Sequence, residues 1–79
     1  MSFFTHAWLL DRYGPRLNLK QAAEALGFSE STLVNRLSQG TIGLRTYLDG
    51  GRRFSDVRDV AEYLDECRAA TQASVERNA

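Results

Sequence analysis

The sequence predicts a small, mainly α-helical single domain that carries one β-hairpin. Three observations predict this fold class. The 79 residues are 43% apolar and 25% charged, which is typical of one soluble globular domain. Glycine and proline separate short segments of helical periodicity. An Asp49-Gly50-Gly51 turn signal then lies between two short stretches that favour β-strand.

The first predicted helix spans Thr5 to Tyr13, with Thr5 as the candidate N-cap. Gly14 and Pro15 end it. Its apolar residues lie almost all the way around the helix: Phe4, Ala7, Trp8, Leu9, Leu10 and Tyr13. A helix without a polar face is usually buried on more than one side. In so small a domain, this pattern indicates either core packing or contact with a second subunit.

A second helix is predicted from Leu19 to Leu26, after the candidate N-cap Asn18. Gly27 ends it, because glycine adopts the left-handed conformation that terminates helices. The small residues Ala22 and Ala23 allow a neighbouring helix to approach closely.

A third helix is predicted after the N-cap Ser29 and runs to about Gln39. Leu33, Val34 and Leu37 form its apolar side. Its outward side is polar, with four residues at the i, i+3, i+4, i+7 spacing: Thr32, Asn35, Arg36 and Gln39. Two helices around a glycine-containing turn, the second polar on its outward side, are typical of a helix-turn-helix.

The outward side chains are of the kinds that contact DNA. Arg36 can pair with guanine, and Asn35 and Gln39 can pair with adenine. Ser31 and Thr32 lie near the helix start, where hydroxyl and amide groups can bind phosphate. The alternative is the solvated face of a small helical bundle, in which the same residue types are common.

The hairpin adds a second basic feature. Thr41 to Leu48 contains β-forming residues, and Arg52-Arg53-Phe54 is the predicted returning strand. Arg52 and Arg53 beside the turn would form a basic wing suited to a phosphate or the minor groove. In the alternative, they pair with Asp49 or Asp56 on a solvated hairpin, although such surface pairs contribute little stability.

A last helix is predicted after Ser55 or Asp56. Its apolar stripe consists of Val57, Val60, Ala61, Leu64 and Cys67, and the pattern fades beyond Arg68. The predicted organisation is an N-terminal helix in residues 1–16 and a winged helix-turn-helix domain in 17–68. Residues 69–79 are the end of the helix or a frayed tail.

Charge and composition favour an anionic partner over catalysis. Ten basic residues balance ten acidic ones, yet residues 12–58 hold eight basic and four acidic residues. A single histidine, His6, and a single cysteine, Cys67, provide no nucleophile–base pair and no metal-ligand set. We therefore expect no enzyme, no cofactor and no metal. The longest apolar run, Ala7 to Leu10, is too short for a membrane span.

Residues 17–64 resemble a known family. The segments LNLKQAAEALGFS (17–29) and TLVNRL (32–37) are similar to the excisionase/MerR-type winged helix-turn-helix. That pattern continues through Gly51-Arg52-Arg53 and a helix of the Asp56-Val57…Tyr63-Leu64 kind. A looser resemblance to the pyocin-activator-like group of phage and prophage regulators involves AWLLDRYG (7–14), SQGTIGL (38–44) and AEYLD (61–65).

The resemblance implies a phage or prophage DNA-binding protein in the bacterial cytoplasm, associated with the nucleoid. Excisionases bind attachment-site DNA cooperatively, bend it and direct an integrase towards excision. Pyocin-activator-like proteins bind promoters. By position, Thr32, Asn35 and Arg36 would face bases, and Arg52 and Arg53 would form the wing. The zero net charge departs from the usual basic excisionase.

Three kinds of partner are expected: double-stranded DNA, further copies of the chain, and an integrase or RNA polymerase. A single domain with about four to six phosphate contacts binds specific DNA weakly at physiological salt, so a homodimer or a cooperative multimer on DNA is expected. Two alternative functions remain. One is a prophage transcriptional activator or repressor without a recombination role, and the other is a protein-interaction adaptor on a helix-turn-helix scaffold.

Overall fold

A computed structural model of the chain describes the backbone of residues 3–78 and the side chains of residues 3–70. Four helices and three short strands lie within residues 3–78. In chain order the elements are α1 (Phe3–Tyr13), β1 (Arg16–Asn18), α2 (Leu19–Leu26), α3 (Glu30–Gln39), β2 (Tyr47–Asp49), β3 (Arg52–Asp56) and α4 (Val57–Asn78). The strands form one antiparallel sheet in the order β1–β3–β2. The predicted mainly α-helical domain with a small β element is confirmed.

The sheet has one strand more than the predicted hairpin. Strand β1 pairs with β3, so that Leu17 lies opposite Ser55 and Asn18 opposite Phe54. Three residues are too few to show a periodicity, so β1 leaves no signal in the sequence. It forms because β3 offers the hydrogen-bonding groups of its second edge and because Leu17 becomes fully buried there.

Helix α1 differs from its prediction in two ways. It begins at Phe3, so Thr5 lies inside the helix and is not its N-cap. Of its apolar residues only Leu9 is buried, whereas Phe3 and Phe4 are among the most exposed large side chains of the described chain. The expectation that the domain buries α1 on more than one side is therefore wrong, because this small core covers only one side of the helix.

Helices α2 and α3 have the predicted bounds, and local signals explain them. The Asn18 side chain accepts a hydrogen bond from the Gln21 amide at 2.8 Å, and the Gln21 side chain accepts one from the Asn18 amide at 3.1 Å. This reciprocal capping box satisfies two amides that the helix leaves unpaired. Gly27 ends α2 with a φ of 82°, and the Phe28 amide donates to the Ala23 carbonyl.

Replacing Gly27 by alanine is expected to lower the free energy of unfolding by about 1–2 kcal/mol, because an L-residue is strained at this left-handed φ. Urea denaturation followed by circular dichroism measures the change. Gly43→Ala is the matched control, since Gly43 has no left-handed φ and an added Cβ there meets open space. Equal losses in the two variants would contradict this account of the α2–α3 turn.

The segment between α3 and the turn is mostly irregular. The sequence favours a strand within Thr41 to Leu48, but β2 covers Tyr47–Asp49 only. Two interactions position the preceding loop: Leu44 is buried, and the Ser55 hydroxyl donates to the Arg45 carbonyl at 2.9 Å. The loop is held by tertiary contacts, which override its local preference for strand.

Asp56 is the residue that caps α4. Its carboxylate accepts a hydrogen bond from the Arg58 amide at 2.8 Å, whereas Ser55 is buried in the sheet. The hydrogen bond from the Arg58 side chain holds the pKa of Asp56 below its ordinary value. The backbone of α4 is helical as far as Asn78, beyond Arg68 where the apolar pattern fades.

The core lies between α1, α2, α3, α4 and the inner face of the sheet. Its buried members are Leu9, Leu17, Ala22, Ala23, Leu33, Leu44, Val57, Val60 and Ala61. Two predicted core positions are wrong: Val34 is 41% exposed, and Cys67 is exposed at the end of its stripe. Within the part of the chain that the structure describes, no helix combines the length and apolar character needed to cross a membrane.

Candidate nucleic-acid interface

Helix α3 packs against α2 through Leu33 and exposes its opposite side. Ser31, Asn35 and Gln39 follow one another at four-residue intervals, and all three are exposed. Residues at this spacing are neighbours on a helix surface, so they form one polar row along α3. At a rise of about 1.5 Å per residue, the row is about 12 Å long.

The start of α3 carries a cluster of hydroxyl groups. The Ser29 hydroxyl accepts a hydrogen bond from the Thr32 amide at 3.2 Å and donates to the Thr32 hydroxyl at 2.7 Å. The Ser31 hydroxyl lies 3.3 Å from that of Ser29. Because Ser29 donates its single proton to Thr32, Ser31 is the donor in its contact with Ser29. The Thr32 hydroxyl keeps its own proton and can donate it to a phosphate at the positive end of the helix, and Ser31 can do so by releasing Ser29.

Arg36 lies to one side of the polar row. Its guanidinium carbon is 4.3 Å from the centre of the Phe28 ring, a cation–π contact that holds an exposed side chain in place. It also lies close enough to Tyr63 for its charge to act on that phenol. Burial, followed by a hydrogen bond to Cys67, raises the pKa of Tyr63, and the positive charge of Arg36 opposes the shift.

The structure places Arg52 and Arg53 on opposite faces of β3, because successive residues of a strand alternate. Arg53 is half-buried and donates to the Thr46 hydroxyl at 2.7 Å. It lines a cleft of about 390 Å³ between α3 and the hairpin, together with Val34 and Ser38 of α3. Arg52 is exposed on the other face, opposite Asp49. The two arginines therefore do not form one patch.

The carboxylates expected to neutralise these arginines bind other partners. Asp49 accepts a hydrogen bond from Arg16 at 2.6 Å, which raises the pKa of the Arg16 guanidinium. That guanidinium also lies 3.8 Å from the centre of the Phe54 ring. Asp56 pairs with Arg58. Within residues 3–70, neither carboxylate forms an ion pair with Arg52 or Arg53.

Within residues 3–70, nearby carboxylates divide the eight basic residues of the middle segment into two groups. Arg12 pairs with Glu24 at 3.1 Å, Arg16 with Asp49 and Arg58 with Asp56. Arg45 lines a recess together with Asp59, Glu62 and Glu66 of α4. The remaining basic residues are Lys20, Arg36, Arg52 and Arg53. Three of the four are predicted site residues.

Sequence reasoning missed two side chains of the site. Ser38 and Thr46 line the cleft beside Arg53, and Thr46 accepts its hydrogen bond. The opposite orientations of Arg52 and Arg53 could have been predicted, because successive side chains of a β-strand point to opposite faces of the sheet. No sequence signal identifies Thr46, because it lies in the irregular loop before β2.

Comparison with known proteins adds no relative: no family model matches the chain, and neither a curated protein nor a solved structure matches it. The proposed function therefore rests on the residues and their geometry.

Proposed function

We propose that the chain is a sequence-specific DNA-binding protein with a winged helix-turn-helix fold. In this proposal α2 and α3 are the helix-turn-helix, α3 enters the major groove, and the β2–β3 hairpin is the wing. One observation carries the proposal: the exposed row of Ser31, Asn35 and Gln39 on α3 lies between two arginines, Arg36 and Arg53, that form no ion pair with a carboxylate of residues 3–70.

The chemistry of the row fits base recognition. Amide side chains such as Asn35 and Gln39 can form paired hydrogen bonds with adenine, and Arg36 can form them with guanine. With base pairs about 3.4 Å apart, a row about 12 Å long faces three to four of them. Thr32 and Ser31 supply phosphate contacts at the helix start, and Arg52 and Arg53 supply them from opposite faces of the wing.

The biological role that we propose is that of a phage or prophage excisionase. The chain would bind attachment-site DNA cooperatively and direct an integrase towards excision. The resemblance of residues 17–64 to that family supports this role. A prophage activator or repressor acting with RNA polymerase uses the same physical apparatus, so the location of the DNA sites separates the two roles.

One observation favours the adaptor as a second candidate. The cleft beside α3 includes the apolar side chains of Val34 and Leu37, and Leu48, which lies opposite Arg53 on the hairpin, is 63% exposed. Apolar surface of this kind suits a protein partner. An adaptor would bind a protein and show no salt-dependent affinity for DNA.

A binding scan across DNA tiled around the protein's own gene tests these alternatives. Fluorescence anisotropy at about 50 and 200 mM salt measures both affinity and its salt dependence. Repeated sites beside an integrase attachment sequence would support the excisionase, and binding confined to a promoter would support the regulator. Absence of salt-dependent binding on every tile would contradict the DNA proposal and favour the adaptor.

Replacing Arg52 and Arg53 together by alanine is expected to weaken binding to all sequences alike. Each phosphate contact that is lost lowers the number of counterions released on binding by about one. The slope of log affinity against log salt concentration should therefore fall in magnitude by about two. Arg45→Ala with Arg68→Ala is the matched control, since it removes the same charge outside the proposed interface: Arg45 lies beside Asp59, Glu62 and Glu66, and Arg68 lies on α4. An equal loss in that control would mean that net charge alone governs binding.

A further inference from the structure

The N-terminal helix exposes an apolar face that the domain does not cover. Phe3 is 86% exposed, Phe4 81%, Trp8 50% and Leu10 45%. Leu9, on the opposite side of α1, is fully buried. The uncovered face, which we call the α1 face, consists of Phe3, Phe4, Ala7, Trp8, Leu10 and Asp11.

The area of the α1 face is large for a monomer. Aromatic side chains bury about 150–250 Å² each when covered. At the exposures above, its four large apolar side chains present on the order of 500 Å² of apolar surface, near the upper end of the largest patches found on monomeric proteins. Pairing two such faces removes up to about 1,000 Å², which is the lower bound for a biological interface.

The charges of α1 match a second copy in antiparallel orientation. Asp11 lies near the C-terminal end of its own helix, where the helix dipole disfavours a negative charge. The first turn of α1 contains no acidic residue, although the dipole favours one there. In an antiparallel pair, Asp11 of each copy lies beside the first turn of the other and supplies the missing charge.

We infer that the α1 face pairs with the α1 face of a second copy, antiparallel and centred on Ala7. The small side chain of Ala7 allows the two helices to approach closely at their crossing. Phe4 then contacts Leu10 of the partner, and Phe3 contacts the partner's Asp11. The same contacts occur twice about the two-fold axis.

This inference deepens the proposed function by naming a partner, and it rests on that function only for its consequence on DNA. A two-fold dimer carries two α3 rows, so it would bind an inverted repeat. Self-association itself is measured without DNA. Its failure is therefore distinguishable from failure of DNA binding.

Sedimentation velocity on the full chain at micromolar concentration tests the pairing. We expect twice the 8.9 kDa mass of one chain. Phe3→Ser with Phe4→Ser should raise the dimer dissociation constant at least about 100-fold, because four aromatic side chains lose their contact. Leu48→Ser is the matched control, an exposed apolar residue on the hairpin, and should leave the dimer intact. A monomeric parent chain, or a dimer that the double variant does not weaken, would overturn the inference.

Disulfide trapping tests the orientation. In a chain that also carries Cys67→Ser, Ala7→Cys should form an intermolecular disulfide on oxidation, because the two copies of residue 7 face each other. Asp11→Cys should not, because its two copies lie about 12 Å apart along the antiparallel axes, beyond the reach of a disulfide. Cross-linking through residue 11 and not through residue 7 would overturn the antiparallel pairing.

Discussion

Replacing Asn35 by alanine is expected to lower affinity for the specific DNA site by about 5- to 150-fold, which corresponds to about 1–3 kcal/mol. Asn35 lies at the centre of the exposed row on α3, and in the proposed complex its loss would leave a base edge without its paired hydrogen bonds. The side chain is exposed and uncharged, so folding and the salt dependence should remain unchanged. Anisotropy on the specific site and on unrelated DNA measures both effects.

Arg36→Ala provides the comparison for Asn35→Ala. Arg36 carries a charge and lies against Phe28, so its removal should weaken specific binding and also lower the salt slope by about one. If Asn35→Ala instead weakened specific and unrelated DNA equally, the assignment of the α3 row to base contacts would be wrong.

Replacing Leu33 by alanine is expected to lower the free energy of unfolding by about 2–5 kcal/mol. Leu33 is fully buried at the centre of the core, and truncation leaves a cavity that so small a domain cannot refill. At about 0.05–0.15 kcal/mol per residue, the whole domain has a stability of about 4–12 kcal/mol, so this loss removes a large share of it. Urea denaturation measures the loss as a lower midpoint of the unfolding transition.

Val34→Ala is the matched control for Leu33→Ala. The two residues are neighbours on α3, but Val34 is 41% exposed at the edge of the cleft. Its truncation should cost less than about 1 kcal/mol. Equal losses would mean that α3 is rotated from the orientation that buries Leu33, and the polar row would then no longer point outward.

Local chemistry explains why α2 and α3 could be predicted with their bounds. The capping box at Asn18, the left-handed Gly27 and the N-cap Ser29 each act within a few residues of the chain. Two members of the α3 row, Asn35 and Gln39, follow from the same periodicity that predicts the helix. Their outward position therefore follows from the order of the residues alone, whereas the predicted outward residue Thr32 is half-buried and Ser31 takes its place in the row.

Long-range contacts explain what could not be predicted. Strand β1 exists because β3 pairs with it across 38 residues, from Leu17 to Ser55. The pairing of Asp49 with Arg16 likewise joins distant parts of the chain, and it decides that Arg52 lacks that carboxylate as a partner. A sequence pattern gives no information on the distance between residues far apart in the chain. It therefore could not predict the β1–β3 pairing or the Asp49–Arg16 ion pair.

The apolar character of α1 is visible in the sequence, but its meaning is not. An all-round apolar helix predicts burial, and the pattern does not say whether the covering surface belongs to the same chain. The exposure of Phe3 and Phe4 shows that the domain itself does not cover them. In the pairing inferred above, a second copy of α1 covers them.

The sequence by itself determined the helical pair α2–α3, the turn at Gly50 and Gly51, and the polar side of α3, because caps, glycines and periodicity act locally. Only the tertiary structure decided the third strand, the side of the sheet on which each hairpin arginine lies, and which basic residues form ion pairs with carboxylates of the described residues. Those features depend on packing and on charges brought together from distant segments. Only folding fixes those distances.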